Sequence, residues 1–286
     1  MKACGSSIKI TCTIHIGMSE AENFELGTRI KVIGIGSGGS HAINHLIECG
    51  MRGVEFICTH SGAQALPSSR AHRTIELCRA PVEHVHAALA GTDLLFITAG
   101  RGGGADLEAA VAIARAAREM DILTVGLAAT PREDTALAKL EAHVDSLIVT
   151  NDGALHGMLK TVVSEIAAIL NEYGHVNVDF TDVSTVMRGP GRAMAGSAQA
   201  SGPHRARIAA EHAVEGLDLS DAKALLVLVT AAKGSLKLSE SRQAMAAINA
   251  GSSPSAHVIF GAAFDESLGD SIRVTVVATG VARQQH

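Results

Sequence analysis

The chain has 286 residues, of which 47% are hydrophobic, so it is long enough for one large domain or two ordinary domains with a packed core. Its net charge of -5 and its 2% of aromatic residues argue against general binding to nucleic acid, to anionic membranes or to single strands by base stacking. The five cysteines include no CxxC pair, and no apolar run reaches the length of a membrane span. We therefore expect a cytoplasmic globular protein with reduced thiols and no direct membrane insertion.

The first 28 residues form an extension ahead of the clearly patterned part of the chain. No secretion signal is evident in this stretch. Apolar side chains alternate with polar ones from Ile8 to Ile16, which is the period of a half-buried β-strand. This segment is predicted to be an edge strand or an arm that contacts a partner.

Short apolar runs alternate with helical patterns from Arg29 to Leu170. Strands are predicted at 29–35, 54–58, 94–98, 123–127 and 144–149, and helices around 42–47, 82–89, 106–117, 134–142 and 155–170. Residues 61–80 are predicted to be irregular. This order is typical of a parallel sheet covered by helices on both faces.

A second region follows the long helix at 155–170. Its predicted elements are a helix at 203–214, a strand at 224–230, a helix at 240–250 and strands at 257–260 and 271–278. We place the boundary between the two regions near residues 175–180. The predicted fold class is α/β throughout.

The segment from Ile97 to Glu108, ITAGRGGGADLE, combines a strand end, a glycine loop and a helix start. Such a loop presents free backbone N–H groups and the positive end of a helix to a phosphate. Asp106 and Glu108 stand where that anion would lie. A carboxylate about 4 Å from a phosphate charge costs roughly 4 kcal/mol at an effective dielectric near 20, or about a thousandfold in affinity.

The same two acids have a second interpretation. Carboxylates in the first turn of a helix stabilise it by about 0.3–1 kcal/mol, which implies a helix end that no longer needs a phosphate. Both interpretations predict weak anion binding at this loop.

The sequence does not support a dinucleotide-binding site or a metal site. Gly34, Gly36 and Gly39 satisfy the dinucleotide fingerprint, but the second strand ends in Ile57–His60 without the acid that would hold a ribose. The histidine pairs His41/His45 and His84/His86 lack a third ligand at fixed spacing, so no metal site is predicted.

Several separated blocks of the sequence resemble the bacterial cell-division FtsZ family of the tubulin superfamily. They are KVIGIGSGG (31–39), GVEFI (53–57), AQAL (63–66), TAGRGGG (98–104), HVDSLIVTND (143–152), NVDFTDVSTVM (177–187) and FDESLGDSIRVTVVATG (264–280). The resemblance covers about residues 29–280. It implies a Rossmann-like tubulin/FtsZ GTPase domain with its central helix at 29–175 and a smaller α/β C-terminal domain at 176–280. The extension 1–28 precedes them and a short tail, 281–286, follows.

The resemblance also implies where nucleotide would bind. In the family GTP, with magnesium, lies in glycine-rich loops, which correspond to Gly36, Ser37, Gly38, Gly39, Gly102, Gly103 and Gly104. Arg132 and Glu133 match the residues that reach the ribose and phosphate, and Asn151 survives on the guanine side. Hydrolysis in the family needs carboxylates inserted by the next subunit of a filament. Asn177, Asp179 and Asp182 match that catalytic loop.

The chain departs from the family pattern mainly in the loops that bind the nucleotide, which face the catalytic loop of the next subunit in the family's filaments. The family's GGGTGTG is replaced here by GGGADLE at 102–108, and a third loop has no counterpart in 67–80. Since only a few residues follow Val281, the resemblance also leads us to expect no counterpart of the C-terminal peptide by which the family docks membrane anchors.

Two functions therefore remain open. The first is an FtsZ-like, filament-associated cytoskeletal protein in cell division or a related process, which binds GTP in an eroded pocket with weak or lost hydrolysis. The second is a nucleotide-free structural paralogue that co-assembles with an ordinary FtsZ or modulates it.

Overall fold

A computed structural model describes residues 27–60, 69–76, 82–99, 104–129, 134–150, 152–171, 174–189 and 192–281. The strands in these ranges are β1 (Ile30–Ile35), β2 (Val54–His60), β3 (Arg73–Glu76), β4 (Leu94–Ala99), β5 (Leu123–Ala129), β6 (Ser146–Thr150), β7 (Arg192–Ser201), β8 (Ala224–Ala231), β9 (His257–Phe264) and β10 (Ser271–Val281). The helices are α1 (Gly36–Glu48), α2 (Val82–Leu89), α3 (Gly104–Glu119), α4 (Asp134–Glu141), α5 (Leu155–Asn171), α6 (Phe180–Met187), α7 (Arg205–Ala213) and α8 (Leu238–Asn249).

All ten strands form one sheet in the order β3-β2-β1-β4-β5-β6-β7-β10-β8-β9. Neighbouring strands are parallel except where β10 pairs with β7 and β8. The first six strands have the order 3-2-1-4-5-6, in which the direction of winding reverses between β1 and β4. The α/β fold class is thus confirmed.

Helices pack on both faces of the sheet because its central strands are apolar on both sides. One buried cluster joins the sheet to α1, α5 and α6, and a second lies on the opposite face under α2, α3 and α4. A third cluster holds α7 and α8 against β8 and β10. α1 and α3 therefore leave the adjacent strands β1 and β4 toward opposite faces of the sheet.

Two strands lie where none is predicted from the sequence. β3 lies within the stretch 61–80, where only irregular structure is predicted, and pairs with β2 along residues that are mostly exposed. β7 is rich in small and polar residues, so it lacks an apolar run, but β10 pairs with it over ten residues. In both cases hydrogen bonding to a neighbouring strand forms the strand, because the local sequence does not favour one.

The sheet continues without a break across the predicted domain boundary. β6 pairs with β7 through Leu147–Arg192 and Ile148–Ala193, and the largest buried cluster contains residues from both regions. The division at 175/176 stays a prediction. The predicted strand at 8–16 lies outside the described residues. Within the described ranges, no helix combines the length and the apolar character needed to cross a bilayer.

Candidate functional site

A crevice at the carboxyl ends of β1 and β4 is the first candidate site, because ligands of doubly wound sheets bind where the winding reverses. α1 starts directly at Gly36, one residue after β1, and its N-cap residue, Ile35, makes no side-chain capping bond. The first turn of α1 also carries no acid of its own. These are the features of a helix end whose free N–H groups are open to an anion.

The glycines of this turn allow very close packing between strand and helix. A Cβ at Gly34 would lie 2.6 Å from the Gly39 carbonyl carbon, and a Cβ at Gly39 would lie 2.8 Å from the Thr98 carbonyl oxygen. Gly36 has a φ of 66°, which disfavours other residues. Gly34 and Gly39 therefore hold the helix against β1 and β4, whatever the crevice binds.

The carboxylate of Asp106 lies directly on this turn. Asp106 is in the first turn of α3, and a Cβ built on Gly36 would lie 2.8 Å from its Oδ1 and closer still to its Oδ2. A carboxylate side chain thus lies at the start of α1. That Asp106 stands where a phosphate would bind stays a prediction.

The surroundings of Asp106 affect its protonation. Burial raises the pKa of the Asp106 carboxyl above its usual value, because desolvation disfavours the charged form. Glu108, in contrast, is exposed on α3. Of the two acids, Asp106 is therefore the one that lies against the turn of α1.

The structure locates part of the predicted nucleotide site. Gly36 and Gly39 are buried, Gly38 is half-buried and Ser37 is exposed in the first turn of α1, and Gly104 is the first residue of α3. The other predicted nucleotide residues lie outside the described residues: Gly102, Gly103, Arg132, Glu133 and Asn151. Their roles stay predictions.

The second candidate site lies at the other end of the central helix. α5 follows the carboxyl end of β6 and has 17 residues, which span about 25 Å. Its last residue, Asn171, donates from Nδ2 to the Thr28 carbonyl oxygen at 3.0 Å, just before β1 begins. The segment after α5 therefore starts beside the amino end of β1, away from the crevice.

The predicted catalytic loop lies on this segment, and local hydrogen bonds hold two of its three side chains. Asn177 Oδ1 accepts from the Gly174 N–H at 2.9 Å. Asp179 is the N-cap of α6 and accepts from the Asp182 N–H at 2.8 Å. All three predicted catalytic side chains, those of Asn177, Asp179 and Asp182, are exposed. The loop thus presents two carboxylates and an amide to the outside of the molecule.

Sequence reasoning missed a polar group that anchors the central helix. Glu165 of α5 is 3% exposed and pairs with Arg273 of β10 at 3.0 Å, and it accepts a hydrogen bond from the Thr230 hydroxyl of β8. The pattern did contain a sign of this, because Glu165 interrupts the apolar face formed by Val162, Ile166 and Ile169. A charge at such a position needs a partner when buried.

No metal centre is found in the described part of the chain, where no group of three or more His, Cys, Asp or Glu side chains is arranged to hold an ion.

The first six strands form a Rossmann-like part of the sheet with a glycine turn at its reversal point, and the central helix leads to a second α/β region, an architecture shared with solved FtsZ structures of the tubulin/FtsZ class. The family model described as "FtsZ family, C-terminal domain" matches residues 191–282. FtsZ from Buchnera aphidicola is 36% identical over 90% of this chain and 80% of its own length. The chain belongs to the FtsZ family.

Other relatives agree with this assignment. FtsZ 1 of Rhizobium meliloti is 35% identical over 94% of this chain, which spans about half of that relative's length, 54%. Among solved structures, an FtsZ W319Y mutant from M. jannaschii superposes with a TM-score of 0.80 at 26% identity, covering 89% of this chain and 92% of that one. CetZ2 from Haloferax volcanii, solved as a GTPγS-bound protofilament, covers 90% of this chain and 95% of that one with a TM-score of 0.69 at 17% identity, which indicates the shared fold alone.

Proposed function

We propose that this chain is a filament-associated cytoskeletal protein of the FtsZ type, active in cell division or a related process, whose own crevice binds GTP and magnesium weakly. Hydrolysis at that crevice is correspondingly weak or lost. The curated relatives are named as cell division proteins, which supports the process. The weak pocket is supported by the residues of the crevice itself.

The observation that carries the proposal is the Asp106 carboxylate lying against Gly36. The start of α1 attracts anions through its free N–H groups, but a phosphate placed there would lie beside the negative charge of Asp106. Like charges in a partly desolvated crevice repel more strongly than in water. Nucleotide phosphates are therefore disfavoured by one side chain on an otherwise suitable backbone.

Titration of labelled GTP with magnesium into the purified protein tests the pocket. Asp106→Gly restores the residue of the family motif at this position and removes the charge, and we expect it to tighten GTP binding by about 10- to 1000-fold. Glu108→Gly is the matched control, because it likewise removes one charge and restores a glycine of the family motif, but at an exposed position of the same helix. It should change the affinity by less than about threefold.

Micromolar, magnesium-dependent binding by the unmodified chain, with turnover rising steeply with protein concentration, would contradict the weak pocket. Equal effects of Asp106→Gly and Glu108→Gly would also contradict it, because general charge and not the contact with Gly36 would then control affinity.

A second function is favoured by the loop at the other end of α5. Asn177, Asp179 and Asp182 are exposed and their backbone is fixed by the Gly174 and Asp182 hydrogen bonds. A chain without nucleotide of its own would still present this loop to a neighbouring FtsZ. In this alternative the protein is a structural paralogue that co-assembles with an ordinary FtsZ or modulates its turnover, whereas the first proposal requires self-association.

A further inference from the structure

β9 forms one edge of the ten-stranded sheet, and the first half of that edge has no strand partner among the described residues. In its C-terminal half, the segment after α5 forms one antiparallel bridge to it: the Ala262 N–H donates to the Val176 carbonyl, and the Ala262 carbonyl accepts from the His175 and Val176 N–H groups. No comparable segment among the described residues pairs with the first half of β9, from His257 to Phe260.

The direction of the free groups follows from strand geometry. The Ala262 N–H points outward, to Val176, while the His257 N–H points inward, to Lys223 beside β8. Since backbone groups alternate along a strand, the N–H groups of Val258 and Phe260 point outward as well. Neither has a hydrogen-bond partner within the described ranges.

The side chains at this open edge are apolar. Val258, Ile259 and Phe260 are consecutive and each is only half-buried. The opposite edge of the sheet, β3, carries Arg73 and Glu76, which are the charges that proteins use to protect an edge. An unprotected apolar edge in a folded protein is a place where another strand adds.

The chain itself supplies a suitable strand close by. Residues 8–16 alternate isoleucine or cysteine with polar residues, as a strand with one buried face does. The described structure starts at Gly27, whose neighbour Thr28 is bonded to Asn171, and Gly174 packs against the Ala262 carbonyl.

The distances allow the connection. From Asn171 to Gly174 the chain spans at most about 11 Å, and the residues between 16 and 27 reach about 33 Å when extended. Residues 8–16, called the arm below, can therefore reach the open half of β9 from Gly27, where the described structure begins.

We propose that residues 8–16 add to the outer edge of β9 of the same molecule as an eleventh strand, with their apolar face beside Val258 and Phe260. The arm would complete a second region that is otherwise left with an open edge, independently of any nucleotide. This inference goes beyond the proposed function and does not depend on it.

Amide hydrogen exchange of the full-length protein, resolved by residue, tests the proposal. The Val258 and Phe260 amides should exchange at least about tenfold more slowly in the unmodified chain than in Ile14→Asp, because a charge on the apolar face of the arm opposes its burial. Thr13→Asp adds the same charge to the polar face and should leave both amides slow. The inward-facing Ile259 amide should stay slow in all three proteins, which shows that β9 is folded.

Three outcomes would overturn the proposal. Fast exchange of Val258 and Phe260 in the unmodified chain would show an open edge, and slow exchange that survives Ile14→Asp would show that something else covers it. Protection that disappears on dilution, together with a dimer in sedimentation velocity, would assign the edge to a second copy of the chain.

Discussion

At the scale of single residues, Asp179 has two roles that can be separated. Its side chain caps α6 by accepting the Asp182 N–H, and its carboxylate also belongs to the predicted catalytic loop. Capping requires only a side-chain acceptor, so serine can replace aspartate there, whereas an electrostatic role toward a neighbour's phosphates requires the charge.

We predict that Asp179→Ala lowers the free energy of unfolding by about 1 kcal/mol, while Asp179→Ser lowers it by only a few tenths. Urea unfolding followed by circular dichroism measures both. Any stimulation of a neighbouring subunit's GTP hydrolysis should be lost in both variants. Equal loss of stability in the two would contradict the capping role, and retained stimulation in Asp179→Ser would contradict the catalytic one.

Asp106 illustrates what the sequence could and could not reveal about the site. Its presence in a glycine loop was enough to predict an acidic pocket, because the motif fixes the place of residue 106 at a helix start. The motif does not reveal which of Asp106 and Glu108 faces the turn of α1. That depends on how α1 and α3 pack around β1 and β4, and the structure places only Asp106 against Gly36.

At the scale of elements, α7 and α8 are joined by a nearly buried ion pair. Arg205 Nε donates to Glu240 Oε1 at 2.8 Å and Nη2 donates to Oε2 at 3.1 Å, with the side chains 11% and 16% exposed. Glu240 also accepts from the Lys237 N–H at the start of α8. The hydrogen bonds from Arg205 hold the pKa of Glu240 below its usual range.

The lowered pKa defines a pH dependence. Glu240 contributes stability above the pKa of the unfolded chain, and this contribution is lost as the pH falls through the still lower folded-state pKa. We predict that Glu240→Gln costs about 2–3 kcal/mol at pH 7, because Arg205 keeps a nearly buried charge without its partner. The difference from the unmodified chain should shrink in acid.

The pair Arg207–Glu211 on α7 is the matched control, since both of its side chains are about half exposed. Glu211→Gln should cost no more than about 0.5 kcal/mol at any pH. A cost for Glu240→Gln that stays constant from neutral pH into acid would contradict the assignment of that energy to the carboxylate charge.

The elements that sequence patterns predict are stabilised by their own apolar periodicity, whereas the elements that the patterns miss are stabilised by pairing with neighbouring strands. The buried strands β1, β4 and β5 and the helix α5 carry their own apolar periodicity, so their positions could be predicted. β7 has the sequence RAMAGSAQAS and no apolar run, so nothing local favours a strand. It becomes one because β6 and β10 pair with it on either side.

At the scale of the whole molecule, the two candidate sites lie at different ends of the central helix. The crevice is at the carboxyl ends of β1 and β4, while the segment that leads from α5 to the loop 177–182 begins at Asn171, beside Thr28 at the amino end of β1. A site completed by the next copy requires this arrangement, because head-to-tail contacts join two different surfaces and extend into filaments. Such a molecule can lose nucleotide binding at the crevice and still keep the carboxylate loop at the opposite end.

The alternative function predicts a one-sided effect on an ordinary FtsZ. When the chain is added in substoichiometric amounts to a GTP-hydrolysing FtsZ, we expect the GTP turnover per FtsZ subunit to change, because in this alternative the loop 177–182 contacts the neighbour's nucleotide. Asp182→Asn should abolish the change without loss of stability, since the Asp182 side chain is exposed and it is the backbone N–H that bonds to Asp179. Asp221→Asn, at an exposed acid outside the loop, is the control and should act like the unmodified chain.

Phosphate release with parallel light scattering measures turnover and assembly together. A change in turnover that persists in Asp182→Asn would mean that the chain acts on filaments by a surface other than this loop.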